Sequence, residues 1–464
     1  MSPNLRCAWL VVVVLLMLGL AACAPAPTPA APTPPPPPEE KVTVNWAVIA
    51  GFYTDWAEEV TREFEEETGI DVNIVNIDFA QLYEKEVLEM VGKTGAYDVI
   101  TIESGWKGEW ASAGYLLPLD DYIAASDPAE IQFEDIAPAL IEIANTWEGK
   151  VYGLPYYTYT QGMFYRCDLF EDEGEKAAFE AEYGYPLAVP TTWEQHADIA
   201  EFFTRKAGDT LKGEVLDHDF YGVGLMAGRF PHIQDEIAGI LWGWGGDFIN
   251  DDGTPGVDDE IGIKATKFYV EELLPHAPPG ALTSAYDEVV AQMRQGLIAM
   301  TASFYLDQWP NIVNTEKEIP GARMCAAAAP GGHGYIGAFS LGIAADSKHP
   351  DEAWEFVKFL SSPEAQRKFA LGGGTTCRMS ILTDPEVVAH RDVAGHYPAL
   401  AEVFDYNKDF MSNFFLVNVG GKIYDEETVW YSAAAAGEYT PEEAMANLAE
   451  AIERICGGPC KIYR

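Results

Sequence analysis

Strand-like and helix-like periodicities alternate along most of the chain, the length exceeds that of one domain, and no long apolar run interrupts the body. Together these predict an α/β protein with a wound sheet and more than one domain. At about 150 residues per domain, 464 residues imply two or three. A hydrophobic share of 48% with 22% charged residues is ordinary for a chain that folds in water.

The elements follow in order. Residues 42–48 place Thr43, Asn45 and Ala47 between apolar neighbours, a period of two that predicts a strand. Residues 55–67 carry Trp56, Val60 and Phe64 on one helical face, and Gly69 ends that helix. A strand at 71–77, a helix at 82–91 and a strand at 97–102 complete the rhythm of a mostly parallel sheet. Further on, helices are predicted at 192–204, 261–274 and 285–295, and a strand at 297–302. Two helices, 350–360 and 363–371, each open on a proline. The last, 441–455, starts at Thr440, Pro441, Glu442 and Glu443, which supply an N-cap, a first-turn proline and carboxylates near the positive end of the helix.

The first forty residues read as an address. Arg6 precedes an apolar run ending at Leu20, Ala21, Ala22 and Cys23, the order of a secretory signal. The last four residues resemble a bacterial lipoprotein box, which implies acylation of Cys23 after removal of residues 1–22. An uncleaved anchor is the alternative, because the uncharged stretch 7–24 reaches the lower limit of a membrane span. Nine of the fourteen residues 25–38 are proline, so residues 23–41 form a tether whose extended polyproline core spans roughly 40 Å. Setting aside Cys7 and Cys23 leaves Cys167, Cys325, Cys377, Cys456 and Cys460, an odd number that cannot all pair internally. An exported compartment permits disulfides. Cys456 and Cys460 are near enough to close a tight loop, but the sequence does not fix the connectivity.

Asp and Glu number 73 against 29 Lys and Arg, a net charge of -44. Such a field repels phosphate backbones and excludes nucleic acid as a natural partner.

Catalytic motifs do not assemble. Ser104 and Lys107 match the S-x-x-K of penicillin-recognising enzymes, but Lys93, Thr94 and Gly95 lie upstream where K-T-G should follow, and no S-D-N occurs. Ser340 lacks the first glycine of a nucleophile elbow. Val87 stands where a phosphate loop ending in Gly92, Lys93 and Thr94 needs glycine, and Pro231 interrupts the helix after the Gly222 and Gly224 pair. In the acidic stretch 250–260, aligning Gly253 with a calcium loop puts Phe248 at its first ligand position. The 8 histidines form no H-x-x-x-H pair. No cofactor or metal is expected.

Aromatic residues do cluster, at Phe52 and Tyr53, Trp106 and Trp110, Tyr156, Tyr157 and Tyr159, Trp242 and Trp244, and Phe304, Tyr305 and Trp309. These flank predicted strand ends, where α/β sheets bind ligands. Aromatic faces stack on the C–H faces of sugars while carboxylates accept their hydroxyls.

Several segments taken together resemble the extracellular solute-binding proteins of ABC sugar importers, the maltose-binding-like class. G-K-V-Y-G-L-P from Gly149 to Pro155 and Y-R-C-D-L-F from Tyr165 to Phe170 resemble two of its motifs, with Arg166 and Cys167 departing from the usual Asn-Lys. P-T-T-W ending at Trp193 and G-L-I-A-M ending at Met300 resemble two more. The run from Ser347 through Trp354 to Ala365 matches the family's helix pair, and the one from Gly437 to Ala444 its C-terminal helix. The resemblance implies two wound α/β lobes joined by hinge crossings, in the manner of periplasmic binding proteins. Residues 42–156 plus 341–385 would form lobe one, and residues 157–340 plus 386–464 lobe two. It also implies a ligand cleft lined by Tyr53, Glu103, Trp106, Tyr157, Tyr159, Asp235, Trp244, Tyr305, Asp307, Trp309, Tyr335, Phe339, Arg378 and Tyr424. At Arg378 the chain departs from the family's G-x-P turn.

The function so implied is a lipid-anchored extracytoplasmic receptor that delivers a neutral carbohydrate or polyol to the transmembrane subunits of an ABC permease and catalyses nothing. An extracellular hydrolase and a binding subunit feeding a chemoreceptor are the alternatives. Because the tether contributes no core, Cys23→Ala is expected to leave a folded binder that no longer partitions with lipid in a detergent phase split. Retention in the detergent phase would instead support the uncleaved anchor.

Overall fold

The computed structural model describes residues 41–391 and 395–464, without the side chains of residues 52–55, 80, 390 and 391. The expected leader, the lipidation site Cys23, most of the tether and the side chain of Tyr53 lie outside the described residues. In chain order the elements used below are β1 (Thr43–Ile49), α1 (Phe52–Thr68), β2 (Asp71–Ile77), α2 (Phe79–Gly92), β3 (Val99–Glu103), α3 (Lys107–Ala113), β4 (Gly153–Thr158) and β5 (Gln161–Arg166). They continue with α4 (Trp193–Phe203), β6 (Tyr221–Gly224), α5 (His232–Gly243), β7 (Ile298–Thr301), β8 (Phe304–Tyr305), β9 (Met324–Ala327) and β10 (Ala338–Ile343). Last come α6 (Pro350–Leu360), α7 (Pro363–Gly372), α8 (Gly420–Ala435) and α9 (Pro441–Cys456).

Local signals set the helix ends. Gly69 closes α1 at φ 74°, its N–H returning to the Glu65 carbonyl. The Thr192 hydroxyl caps α4 by accepting from the Gln195 N–H. At α9 Thr440 and Glu443 form the reciprocal capping box. The helix expected at 261–274 is α-helical only over Glu260–Lys267 and continues with wider turns over Phe268–Leu273.

Two sheets organise the chain. The first has the order β2-β1-β3-β10-β4 and the second β6-β7-β5-β8, with β9 also on β5. The expected parallel pairing holds for β1 with β2 and with β3. Beyond β3 the sheet is antiparallel, because β10 runs against both β3 and β4. In the second sheet β6 and β7 are parallel, while β7, β8 and β9 all run against β5. Each sheet is therefore mixed rather than mostly parallel: β4 and β10 pair with each other where the chain leaves the first sheet and where it returns.

The first core forms where Trp46 meets Tyr156 and Phe356 edge-on at 5.9 and 5.4 Å, with Phe64 at 5.2 Å from Phe356. All are at most 1% exposed. Truncating a buried ring of this kind to alanine costs about 3 to 5 kcal/mol. The Gly222 and Gly224 pair sits in β6, packed on α4: a Cβ on Gly222 would lie 1.8 Å from the Ala200 carbonyl oxygen, so glycine is there for strand–helix contact.

Cysteines join Cys167 to Cys325 and Cys456 to Cys460, leaving Cys377 free and buried. The Arg166 and Cys167 departure thus has a structural use. Cys167 pins β5 to β9, and Arg166 holds Asp168 by two charge-assisted bonds of 2.7 and 2.8 Å. In the chain-entropy model, closing a loop of 158 residues stabilises by about 5 kcal/mol and one of 4 by about 2 kcal/mol. Replacing Cys167 and Cys325 by serine is therefore expected to cost about 3 kcal/mol more, in denaturant unfolding, than replacing Cys456 and Cys460. Equal losses would contradict the loop argument.

Candidate functional site

Strand register puts three predicted residues side by side. In the antiparallel half of the first sheet Phe339 of β10 is opposite Glu103 of β3 and opposite Tyr157 of β4. A bulge follows, because Ser340 pairs with Pro155 and Tyr156 is the extra residue. The two tyrosines part accordingly: Tyr156 joins Trp46 in the core, while Tyr157 stacks on Phe339 at 6.0 Å.

From Glu103 a chain of contacts reaches the second sheet. Glu103, 9% exposed, accepts from the Tyr159 hydroxyl and, at 2.7 Å, from the Gly105 N–H. The Tyr159 ring lies 5.0 Å from Phe339, 6.4 Å from Tyr335 in a stack, and 6.1 Å from Tyr305 edge-on. A Cβ on Gly337 would fall 1.9 Å from the Tyr159 ring, so only glycine lets that ring settle. The Tyr305 and Tyr424 hydroxyls then donate to the two oxygens of Asp235 at 2.5 and 2.6 Å. His232 lies 2.9 Å from the Tyr305 oxygen.

Trp106 donates its main-chain N–H to the Glu103 carbonyl at 3.0 Å and stacks at 5.9 Å on Phe79, which is 47% exposed and meets Phe339 edge-on at 5.9 Å. Trp110 and Tyr83 support it at 5.3 and 5.2 Å. Seven predicted residues, Glu103, Tyr159, Asp235, Tyr305, Tyr335, Phe339 and Tyr424, are thus brought into one aromatic and carboxyl cluster, with Trp106 on its rim.

Others stand apart. Tyr157 donates to Asp307, which also accepts from Gln308 at 3.0 Å, a buried bond linking the first sheet to the segment after β8. Trp309 stacks on His396 at 4.4 Å and joins no ring of the cluster. Trp244 lies beyond the end of α5, under the Lys264 ammonium at 3.6 Å and beside Phe268. Trp242 takes the expected place, stacked on Tyr335 at 6.1 Å, and its spacing of seven from Asp235 on one helix is the signal that identifies it. Arg378 is a correction to the sequence reading: 1% exposed, it donates to the carbonyls of Ile131, Gln132 and Ser361 and faces Asp135. Four of its bonds go to main-chain carbonyls and the fifth to the Asp135 carboxylate, and none is left for a solute. Phe79 is not singled out in the sequence, and Trp242, named there only among the clustered aromatics, is not placed in the cleft.

Ser104 exchanges hydrogen bonds with the Ala338 main chain, while the Lys107 ammonium donates to the carbonyls of Glu142 and Ile143. The S-x-x-K pair therefore makes no nucleophile–base contact. In the acidic turn, Asn250 donates to Asp259 at 2.9 Å and Asp252 accepts from Thr254, a hydrogen-bonded loop.

Burial sets the electrostatics. It raises the Asp235 carboxyl to about 8, against the two tyrosine hydroxyls and with further repulsion from Glu103. Burial also raises Glu103, raises Glu236 to about 8 and Asp307 to about 6, and lowers Lys107 to about 7 and His232 to about 4. The cluster is acidic, aromatic and rich in hydroxyls, suited to recognising hydroxyls and apolar ring faces.

Comparison with known proteins shows the family. The family model of the bacterial extracellular solute-binding proteins matches residues 46–367. The chain belongs to that family. This solute-binding protein is 28% identical over 409 residues to a Sinorhizobium fredii protein described as a probable amino-acid ABC transporter periplasmic-binding protein, covering 85% of this chain and 84% of the relative. It is 22% identical over 302 residues to the mannitol-binding protein of Pseudomonas aeruginosa, covering 61% and 60%. Among solved structures, the ABC transporter solute-binding protein of Agrobacterium radiobacter K84 in complex with ribitol superposes with a TM-score of 0.72 at 23% identity, over 89% of this chain and 98% of that one. The fold is that of the two-lobed periplasmic binding proteins.

Asp235 holds its proton in the fold at pH values where the unfolded chain has lost it, so each rise in pH between about 4 and about 8 costs stability. Asp235→Asn removes that loss. Its thermal midpoint is expected to gain on that of the parent as pH rises from 5 to 8.5; parallel curves would contradict the assignment.

Proposed function

We propose that this solute-binding protein is a lipid-anchored receptor that closes its two lobes over a neutral carbohydrate or polyol and hands it to the transmembrane subunits of an ABC permease, with no reaction of its own. The observation that carries the reading is the pair Glu103 and Asp235, supplied by different elements and linked through the Tyr159, Tyr335, Tyr305 and Tyr424 rings. Each carboxyl can accept ligand hydroxyls in place of tyrosine hydroxyls, and the rings offer faces to the carbon skeleton. A phosphorylated or carboxylated solute needs cations, and the cluster offers two carboxyls instead. The mannitol-binding relative supports the same ligand class.

In this reading residues 42–156 plus 341–385 and residues 157–340 plus 386–464 are the moving lobes, and the crossings at residues 157–161 and 335–339 are the hinge. Cys23 carries the lipid, and the proline tether holds the receptor off the membrane.

A thermal-shift screen over sugars, sugar phosphates and polyols identifies the ligand, since saturation at 100 times Kd stabilises by about 2.7 kcal/mol. With that ligand, Trp106→Ala and Tyr305→Ala are each expected to lose about 1 to 3 kcal/mol of affinity in titration calorimetry, by analogy with stacking of bases on aromatic side chains. Unchanged affinity in both, or a sugar phosphate as the best ligand, would overturn the reading.

A further inference from the structure

The cluster buries carboxyls to which a neutral polyol brings no counter-charge. Glu103 is 9% and Asp235 2% exposed, and the two repel each other across the tyrosine rings. Tyr305 from β8, Tyr424 from α8 and, more distantly, Glu427 from α8 face Asp235, and Glu236 follows it on α5. Glu427 is 0% exposed, and neither of its carboxyl oxygens has a hydrogen-bond partner among the described residues.

No cation among the described residues forms an ion pair with these groups. The Lys107 ammonium, the one positive charge acting on Glu103, is held by the carbonyls of Glu142 and Ile143. Burial keeps the His232 imidazole neutral. Around the carboxyls stand the Tyr159, Tyr335 and Tyr305 rings, whose faces attract a cation.

We infer that the site selects, within the sugar and polyol class, solutes that carry an ammonium group, seated between the Asp235 and Glu103 carboxyls and against the tyrosine faces. This rests on the polyhydroxyl reading above and narrows it. An ammonium ion stabilises the ionised form of a carboxyl that burial otherwise keeps protonated, so its binding displaces a proton from the site to solvent. A neutral polyol offers no such exchange.

The test is titration calorimetry of the full chain against matched pairs at pH 7: glucose and glucosamine, galactose and galactosamine, mannose and mannosamine, sorbitol and 1-amino-1-deoxysorbitol. In a pair that binds, the amine is expected to bind at least tenfold more tightly, with a heat that varies with buffer ionisation enthalpy as a proton leaves. Asp235→Asn, or Glu103→Gln should that variant fail to fold, is expected to cut the amine-to-neutral affinity ratio tenfold. Equal or tighter binding of the neutral member, or a ratio untouched by the substitution, overturns the inference and leaves the polyhydroxyl reading standing. If no member of any pair binds, the inference is overturned, while the polyhydroxyl reading is decided by the wider screen.

Discussion

The pairing of β10 between β3 and β4 is the constraint on which the site depends. It sets Glu103, Phe339 and Tyr157 in one row. Residues just outside that pairing continue it into the crossing, where the Tyr159 N–H reaches the Gly337 carbonyl at 3.0 Å and the Gln161 N–H the Tyr335 carbonyl at 2.9 Å. Tyr159 and Tyr335 are thereby held at the junction of the sheets by main-chain bonds. The proposed recognition groups and the proposed hinge are the same stretch of backbone, and a slip of one residue would turn every one of these side chains to the opposite face.

Energetically the site runs against the core. Core rings such as Phe64 and Phe356 gain from burial with nothing left to satisfy, whereas Asp235, Glu236 and Glu427 are buried at a cost in desolvation. The Arg378 network does the reverse: one guanidinium spends its donors on carbonyls around residues 131, 132 and 361 and so fixes the first lobe's helices around the crossing. The two buried systems differ in use: one holds structure, and the other, in the proposed function, exchanges its tyrosine hydrogen bonds for those of a ligand.

How far this was legible in the sequence depended on how local each signal is. Helices α1, α4, α6, α7 and α9 were readable because periodicity and caps lie within a few residues of each other. The antiparallel half of each sheet was not, because β10 meets β3 after more than two hundred residues and no local pattern records the direction of that meeting. Glu103, Asp235, Tyr305 and Tyr424 follow from family likeness, and the structure brings them together. Trp244 rests on the same likeness, whereas helical spacing from Asp235 points to Trp242. Arg378 read as a ligand contact because a sequence shows a cation without showing the carbonyls that will claim it.

The free Cys377 has a practical corollary. Its thiol is 1% exposed and burial raises it far out of the range in which thiolates react, while the other four described cysteines are locked in pairs. Among the described residues, then, the fold is silent toward maleimide reagents. One engineered surface cysteine on each lobe would be the only sites in this region to take a dye, so the distance between lobes could be followed by energy transfer in single molecules with both native bridges intact.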